Sequence, residues 1–408
     1  MKITRRKFLK VSGLAAAVPL AGPRISLAFS GNKGSDRDIL ISVYQRGAAD
    51  GLNIIVPYFD GRYYDLRPTL AVDPPGAPNG ALDLDGSYGM HPTMTALRDI
   101  YDAGDLAVVH AAGSPHPSHS HFDAQDFMER GILEKIGAYT GWLGRYMELT
   151  SPFKADSPFR VLGMGTSVQI TIRGNVAAIA MYDIDGFDLY AQEPEANAIR
   201  TALQALYPGD DLLDVSAQQT FAAVDLLAAA NPLQYAPDNG AQYPETEFSR
   251  QLMQIGQMIK ADVGLEVAAI DFNGWDHHDG ELGILPSMLQ EFSNALAAFN
   301  QDMGDRMNNI TLTTTTEFGR RAYENGSVGT DHGHGGVMFA MGKNVNGGQV
   351  YVDWPGLQQQ QLYEQGDLDV TTDFRLVLGE LLDKRGGGTD LNYVFPDYQM
   401  PSFLGIFS

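Results

Sequence analysis

The chain has 408 residues, with 50 Asp and Glu against 28 Lys and Arg, a formal net charge of -22 and no cysteine. So acidic a surface repels nucleic acid and anionic lipid. Without cysteine there is no disulfide, thiolate zinc site, iron–sulfur cluster or thiol nucleophile, so any metal ligands must be His, Asp, Glu or hydroxyl groups.

In chain order, MKITRRKFLK reads as the start of a twin-arginine export signal covering residues 1–30. Thr4 to Lys10 carries the arginine pair, Val11 to Ala21 is apolar but short for a membrane span, and Ala28-Phe29-Ser30 offers a small-x-small cleavage site. The competing reading is a basic arm on a cytoplasmic protein. Export of this kind carries folded cargo, so the expected partner is the twin-arginine translocation machinery and the expected location is periplasmic or extracellular. No later stretch approaches ~20 uninterrupted apolar residues, so no transmembrane segment is expected in the mature chain.

Residues 31–408 read as one domain with a flexible start at 31–38. Asp38 to Tyr44 is a buried strand that breaks into Arg46-Gly47-Ala48-Ala49-Asp50-Gly51, followed by a second apolar run, Leu52 to Val56. His91 to Tyr101 reads as a helix, Asp105 to Gly113 as a strand, and Phe122 to Glu129 as the start of another helix. Between 140 and 240 the signals are mixed. Short strands are expected at Arg160–Gly163, Val168–Ile172 and Ala177–Met181, with a helix at Phe221–Ala230, and the block reads as a cap or insertion. Then follow a helix over Thr246–Ala261, a strand over Leu265–Ile270, a helix over Pro286–Phe299, a β-branched strand over Asn309–Thr316, an apolar run over Val337–Met341 and a helix over Phe374–Leu382. The alternation predicts an α/β fold with helices on both faces of a mostly parallel sheet. Asp50, Asp271 and Glu317 each follow a buried strand, and in open α/β sheets the carboxyl ends of strands carry ligands.

Seven of the 9 histidines lie in three clusters. In GTDHGHGG, His332 and His334 are two apart, so in extended chain both imidazoles face one way, with Asp331 beside them. The bland reading is a polar surface turn. In DFNGWDHHDG, Asp271, Asp276 and His278 have spacing suited to a hard or borderline ion; the bland reading is an acidic loop whose Trp packs on the core. In SPHPSHSHFDAQD, Ser120 precedes a helix start. It suits a nucleophile near a helix N-terminus, or a plain N-cap with Asp123 completing a capping box. His119 and His121 suit ligation, acid–base work or backbone hydrogen bonds. Arg46 and Arg320, with Arg321, suit bidentate binding of a phosphate or sulfate oxygen, or structural ion pairs.

RGAADGLNIIVPY, SPHPSHSHFDAQDFMERG, DFNGWDHHDG, TEFGRR and GTDHGHGG together resemble the family called domain of unknown function 1501, over about residues 38–405. The resemblance implies twin-arginine export and a relation to alkaline phosphatases, sulfatases and cofactor-independent phosphoglycerate mutases. It implies an alkaline-phosphatase-like three-layer sandwich with a metal centre at the strand ends. Asp50 resembles that superfamily's first metal-binding Asp, Ser120 its nucleophile, and Asp271, Asp276 and His278 a later ligand group. The strand expected to end in Asp-His instead ends in Glu317-Phe318-Gly319, and Asp331-His332 comes fourteen residues later. The ligand set is therefore expected to be rearranged among Asp50, Asp271, Asp276, His278, Glu317, Asp331, His332 and His334, holding one or two divalent ions (zinc, calcium, magnesium or manganese), or none. The leading expectation is an exported metal-dependent hydrolase of phosphate or sulfate esters, on small or polymer-borne substrates. The alternative is a non-catalytic, metal-stabilised surface or assembly protein on the same fold. A third, an oxidoreductase, lacks support, because the chain has neither cysteine nor a dinucleotide glycine fingerprint.

Overall fold

A computed structural model of the protein describes residues 38–134, 139–150, 157–188 and 195–408. The expected export signal at 1–30 lies outside these residues. The strands are β1 (Ile39–Arg46), β2 (Ile55–Val56), β3 (Leu82–Asp83), β4 (Gly89–Met90), β5 (Leu106–Gly113), β6 (Val161–Met164), β7 (Ile179–Met181), β8 (Val267–Asn273), β9 (Ile310–Thr315), β10 (Gly336–Met341), β11 (Val350–Tyr351) and β12 (Thr372–Asp373). The main sheet runs β11-β5-β10-β9-β1-β8-β6-β7, with β12 beside β5, and β2-β4-β3 form a small second sheet.

β9, β1, β8, β6 and β7 are parallel neighbours. β10 is antiparallel to both β9 and β5, so β5 runs in the direction of the parallel set and β10 runs against it. The carboxyl ends of β1, β5, β8 and β9 and the amino end of β10 therefore share one edge.

The apolar runs form strands because both of their faces are covered. Alternate residues of β1 point to opposite sides: Ile41 and Val43 enter one core, Leu40 and Tyr44 the other. The first core packs under α2 (Thr95–Asp102), α7 (Glu247–Lys260) and α8 (Glu281–Met303), through Leu97, Leu252, Ile255, Phe292 and Phe299. The second packs under α3 (His121–Arg130), α4 (Trp142–Thr150) and α9 (Phe374–Arg385), through Met128, Leu143, Val377 and Leu381. The result is three layers, with the sheet in the middle.

Several local expectations change. Leu52–Val56 splits into a short helix α1 (Gly51–Ile54) and β2. Val168–Ile172 does not form a strand; Ile170–Ile172 is a 3-10 turn, and Arg173 O accepts from Gly141 N at 2.7 Å, so the segment ties to the start of α4 and not to a ladder. α8 begins at Glu281, not at Pro286, after Gly280 in the left-handed region, and carries Pro286 inside it. The block at 140–240 supplies β6 and β7 to the edge of the main sheet. Its helices α5 (Glu195–Gln204) and α6 (Leu212–Ala230) share a small core of Leu203, Tyr207, Ala217 and Phe221.

Candidate metal centre

Five loops reach the shared sheet edge, and close backbone contact locks them together. After β1, Gly47 has φ +119° and its N–H donates to Glu317 Oε1 at 2.9 Å. A Cβ on Gly47 would stand 2.6 Å from Asp276 N, so no side chain fits there. Ala48 follows, also left-handed at φ +68°. Gly333 is equally constrained: a Cβ there would lie 2.3 Å from the Arg320 carbonyl carbon. It lets the Asp331–Gly335 loop lie on the Glu317–Arg321 loop, where Arg320 and His332 form an antiparallel bridge.

These loops bring one carboxylate and three imidazoles together. Nitrogens of His121 and His332 and an oxygen of Asp276 all lie within 4.8 Å of one another. His332 Nε2 is 3.2 Å from Asp276 Oδ1, and His121 Nε2 is 3.5 Å from Asp276 Oδ2. His278 Nε2 joins them, 3.1 Å from Asp276 Oδ1 and 3.0 Å from His332 Nε2. Ligands bound tetrahedrally at about 2.1 Å would be spaced about 3.4 Å apart, so these separations suit one ion.

The far nitrogen of each ring already has an acceptor. His121 Nδ1 donates to Glu317 Oε1 at 2.8 Å, His278 Nδ1 to Asp331 Oδ1 at 2.9 Å, and His332 Nδ1 to the His119 carbonyl at 2.9 Å. A neutral imidazole carries its proton where its acceptor is, so all three Nε2 lone pairs face inward. Lone pairs on His278 and His332 then oppose each other at 3.0 Å, beside a carboxylate. His121 Nε2 is buried and has no hydrogen-bond partner. Such a set is repulsive until a cation sits among it, so the donors fit a divalent ion.

The surrounding charges shape the group. Burial alone would raise Glu317, but hydrogen bonds from His121, Gln125 and the Gly47 amide hold its carboxyl below the usual range. The Glu317 hydrogen bond raises His121, while burial lowers His332. Asp276 also resists the upward push of burial, because Arg320 Nη2 donates to it at 2.6 Å.

The other sequence candidates are placed as follows. Glu317 and Asp331 bind ring Nδ1 atoms on the outer side of the group. Asp50 is buried, and both its oxygens pair with Arg67, at 2.5 and 3.0 Å. Asp271 lies within β8 and pairs with Arg46 at 2.9 Å. His334 diverges from His332: it stacks on Tyr363 at 4.1 Å, and burial pushes it down to about 4. His119 Nε2 meets Asp367 Oδ2 at 3.0 Å. Ser120 occupies the N-cap position of α3, but its side chain makes no capping hydrogen bond, so the expected capping box does not form and the residue stays exposed. Arg46 is engaged by Glu129 and Asp271. Arg320 is 1% exposed and binds the carbonyls of Gly47, Ala48, Trp275 and Thr330. Arg321 is the more open of the adjacent pair, its Nε 3.2 Å from Asp367.

Arg67, Glu281, Asn325 and Asp367 also meet at this edge, though none of them lies in a motif of the sequence. Glu281 hydrogen-bonds to Asp50 of the buried Asp50–Arg67 pair and also accepts from Asn53 Nδ2 and Thr330 Oγ1.

The profile of the family described as "Protein of unknown function (DUF1501)" matches residues 37–390. No curated protein matches the chain. Among solved structures, the chain is similar to the lipoteichoic acid synthase LtaP from Listeria monocytogenes, with TM-score 0.33, 8% identity, and 87% of this chain and 73% of that chain covered. It is similar to Ps i-CgsB in complex with k-i-k-neocarrahexaose, with TM-score 0.40, 10% identity, and 88% and 74% covered. It is also similar to the C-terminal periplasmic domain of EcEptC from Escherichia coli in complex with Zn, with TM-score 0.32, 9% identity, and 78% and 76% covered.

Proposed function

The chain belongs to the DUF1501 family, and we propose that it is a metal-dependent hydrolase of phosphate or sulfate esters. One observation carries the reading: His121 and His332, each with an acceptor on its Nδ1, bring their inward nitrogens and an Asp276 oxygen within 4.8 Å of one another, and His278 Nε2 lies 3.0 Å from His332 Nε2. His121, Asp276 and His332 would hold a divalent ion, with His278 beside them. A bound ion of this kind supplies Lewis-acid polarisation of an ester oxygen and a lowered pKa for a nearby hydroxyl or water.

The chain's own residues do the rest. Glu317, Asp331 and the His119 carbonyl orient the rings and raise their basicity. Buried Arg320 fixes the Asp276 carboxylate and ties its loop to the β1 and β10 loops. Ser120 stands between His119, whose carbonyl holds His332, and His121. Its hydroxyl is exposed and free of capping duty, which suits a nucleophile or a group that positions water. Asp276 and His278 are about half exposed, so the centre faces solvent where an ester could reach it. The acidic surface leaves the ion as the main local attraction for an anionic ester. We read residues 1–30 as directing export of the folded protein to the periplasm or beyond.

The test is elemental analysis of protein purified from an exporting host, followed by assays on aryl phosphate and aryl sulfate esters. One equivalent of divalent metal, ester hydrolysis, and loss of both in His332→Ala are expected. Ser120→Ala should keep the metal and lose most of the rate. Stoichiometric metal without hydrolysis of either ester class would overturn the hydrolase reading. Absence of metal, with no response to chelator, would overturn the metal centre itself.

A further inference from the structure

We infer that Asn325 is a positioning residue that makes His278 a fourth ligand of the candidate centre; this rests on the metal reading above. Asn325 lies on none of the sequence motifs. Its side-chain amide nevertheless joins the two loops that carry His278 and His332.

The side chain of Asn325 is fully committed. Its Nδ2 donates to the His278 carbonyl at 2.9 Å and to Asp331 Oδ1 at 3.1 Å. Its Oδ1 accepts from the amides of Ser327 at 2.9 Å and Gly329 at 3.2 Å. Two donors and two acceptor sites exhaust what an amide offers. Asp331 Oδ1 in turn accepts the Nδ1 proton of His278. Asn325 therefore grips the backbone of His278 and, through Asp331, its ring.

The ring needs that grip. His278 is 45% exposed, and its polar side-chain contacts are Asp276, Asp331 and His332. A half-exposed side chain with little packing samples several rotamers unless a hydrogen bond selects one. The Asp331 bond selects the rotamer that turns Nε2 inward. Asp331 is itself about half exposed, and besides His278 its Oδ1 is held by Asn325.

The loop also shows that a shape is being enforced. Val328 has φ +56°, a left-handed conformation that a β-branched residue rarely adopts. Asn325 bonds to both sides of it, at Ser327 and Gly329. The strained carbonyl of Val328 accepts from Glu281 N at 2.9 Å, Gly280 N donates to Ser327 O at 3.1 Å, and Thr330 N donates to His277 O at 3.0 Å. These bonds set the His278 loop against the His332 loop. Strain of this kind persists where surrounding structure over-determines it. By deciding whether His278 ligates, Asn325 decides between three and four protein ligands, and so how much of the ion is left for substrate.

The test uses full-length protein and Co2+ alone as the probe, reading its dissociation constant and the visible d–d absorption that reports coordination. Asn325→Asp keeps an acceptor for Ser327 and Gly329 but loses both donors, so it separates loop folding from ligand positioning. The new carboxylate oxygen stands against the His278 carbonyl and Asp331, so the thermal midpoint should fall modestly, and a far-ultraviolet circular dichroism spectrum matching the wild type's shows that the fold is kept. The variant's Co2+ affinity should fall by roughly 10- to 100-fold, the usual cost of losing an outer-shell partner. Its absorption should shift toward that of His278→Ala. Wild-type affinity and spectrum in Asn325→Asp would overturn the role of Asn325. A wild-type spectrum in His278→Ala would remove the fourth ligand while leaving the metal reading intact. Failure of the wild-type protein itself to bind Co2+ would bring down that reading and this inference together.

Discussion

Glu317 accepts the Nδ1 proton of His121 at 2.8 Å from a position with no solvent exposure. The same oxygen also takes hydrogen bonds from Gly47 N and Gln125 Nε2. The carboxylate therefore fixes a ring, a left-handed loop and a helix side chain at once. Glu317→Gln keeps an oxygen of similar size but removes the charge that would make His121 a strong ligand in the proposed centre. Metal affinity is expected to fall by roughly 10- to 100-fold. Competition against a chromophoric chelator measures it, and an unchanged affinity would contradict the role assigned to Glu317.

The same pair predicts a pH dependence in metal-free protein. The Glu317 hydrogen bond raises His121 above its ordinary value. Its stabilisation is fully present below about pH 6.5, the unfolded value, and is lost as pH rises through the folded pKa. Glu317 is depressed, so its contribution is present above the ordinary carboxylate range and is lost as pH falls through the folded value. Stability without metal should peak between these limits and decline on both sides. Denaturant midpoints across pH measure this. Glu317→Gln should flatten the alkaline decline, and a wild-type curve without any such decline would sink the argument.

Asp50 and Glu281 are both buried, yet one guanidinium, Arg67, lies between them and neutrality. Burial and the neighbouring Asp50 charge push Glu281 well up, so a proton held by the pair is expected on Glu281. Burial would also raise Asp50, but Arg67 outweighs it and holds Asp50 low. Asp50→Asn leaves a buried arginine without its counter-charge and should cost about 3–5 kcal/mol. Glu281→Gln replaces a neutral acid with a neutral amide and should cost under about 1 kcal/mol. Equal losses in chemical denaturation would show that the proton is placed wrongly.

Arg320 should not tolerate lysine. Its planar fork serves four carbonyls and Asp276, which a single ammonium group cannot reach together. Arg320→Lys should destabilise the fold by about 2–3 kcal/mol, since buried carbonyls lose charged donors. It should also weaken metal binding, because Asp276 is released. Calorimetric unfolding with and without metal separates the two effects. Unaltered metal affinity would mean that Asp276 is placed by its loop alone.

Much of the architecture was legible in the sequence because its cause is local. Asp38–Tyr44, Asp105–Gly113, Leu265–Ile270 and Asn309–Thr316 read as strands because chain buried on both faces must be apolar throughout. The reversed direction of β10 was not legible, since Val337–Met341 is equally apolar in either sense. The residues near the centre were legible as types, because imidazole and carboxylate clusters stand out in an otherwise ordinary composition. Their division of labour was not. His332 and His334 share a period-2 spacing, but Tyr363 draws one of them away through a stacking contact that no local pattern reveals. Asp50 and Asp271 lie where ligands were expected, but their arginine partners, Arg67 and Arg46, are assigned only by folding. Asn325 had no signal at all, because its importance lies in bonds to backbone groups of a distant loop.

β1 runs its full eight residues, Ile39 to Arg46, from one margin of the sheet to the other. At about 3.3 Å per residue this separates its first residue from the loop that follows by roughly 25 Å. Anything joined ahead of Ile39 thus enters at the margin opposite the histidines. An affinity tag, a bead linkage or a surface tether joined directly ahead of Ile39 would leave the edge that carries the histidines turned away from the support.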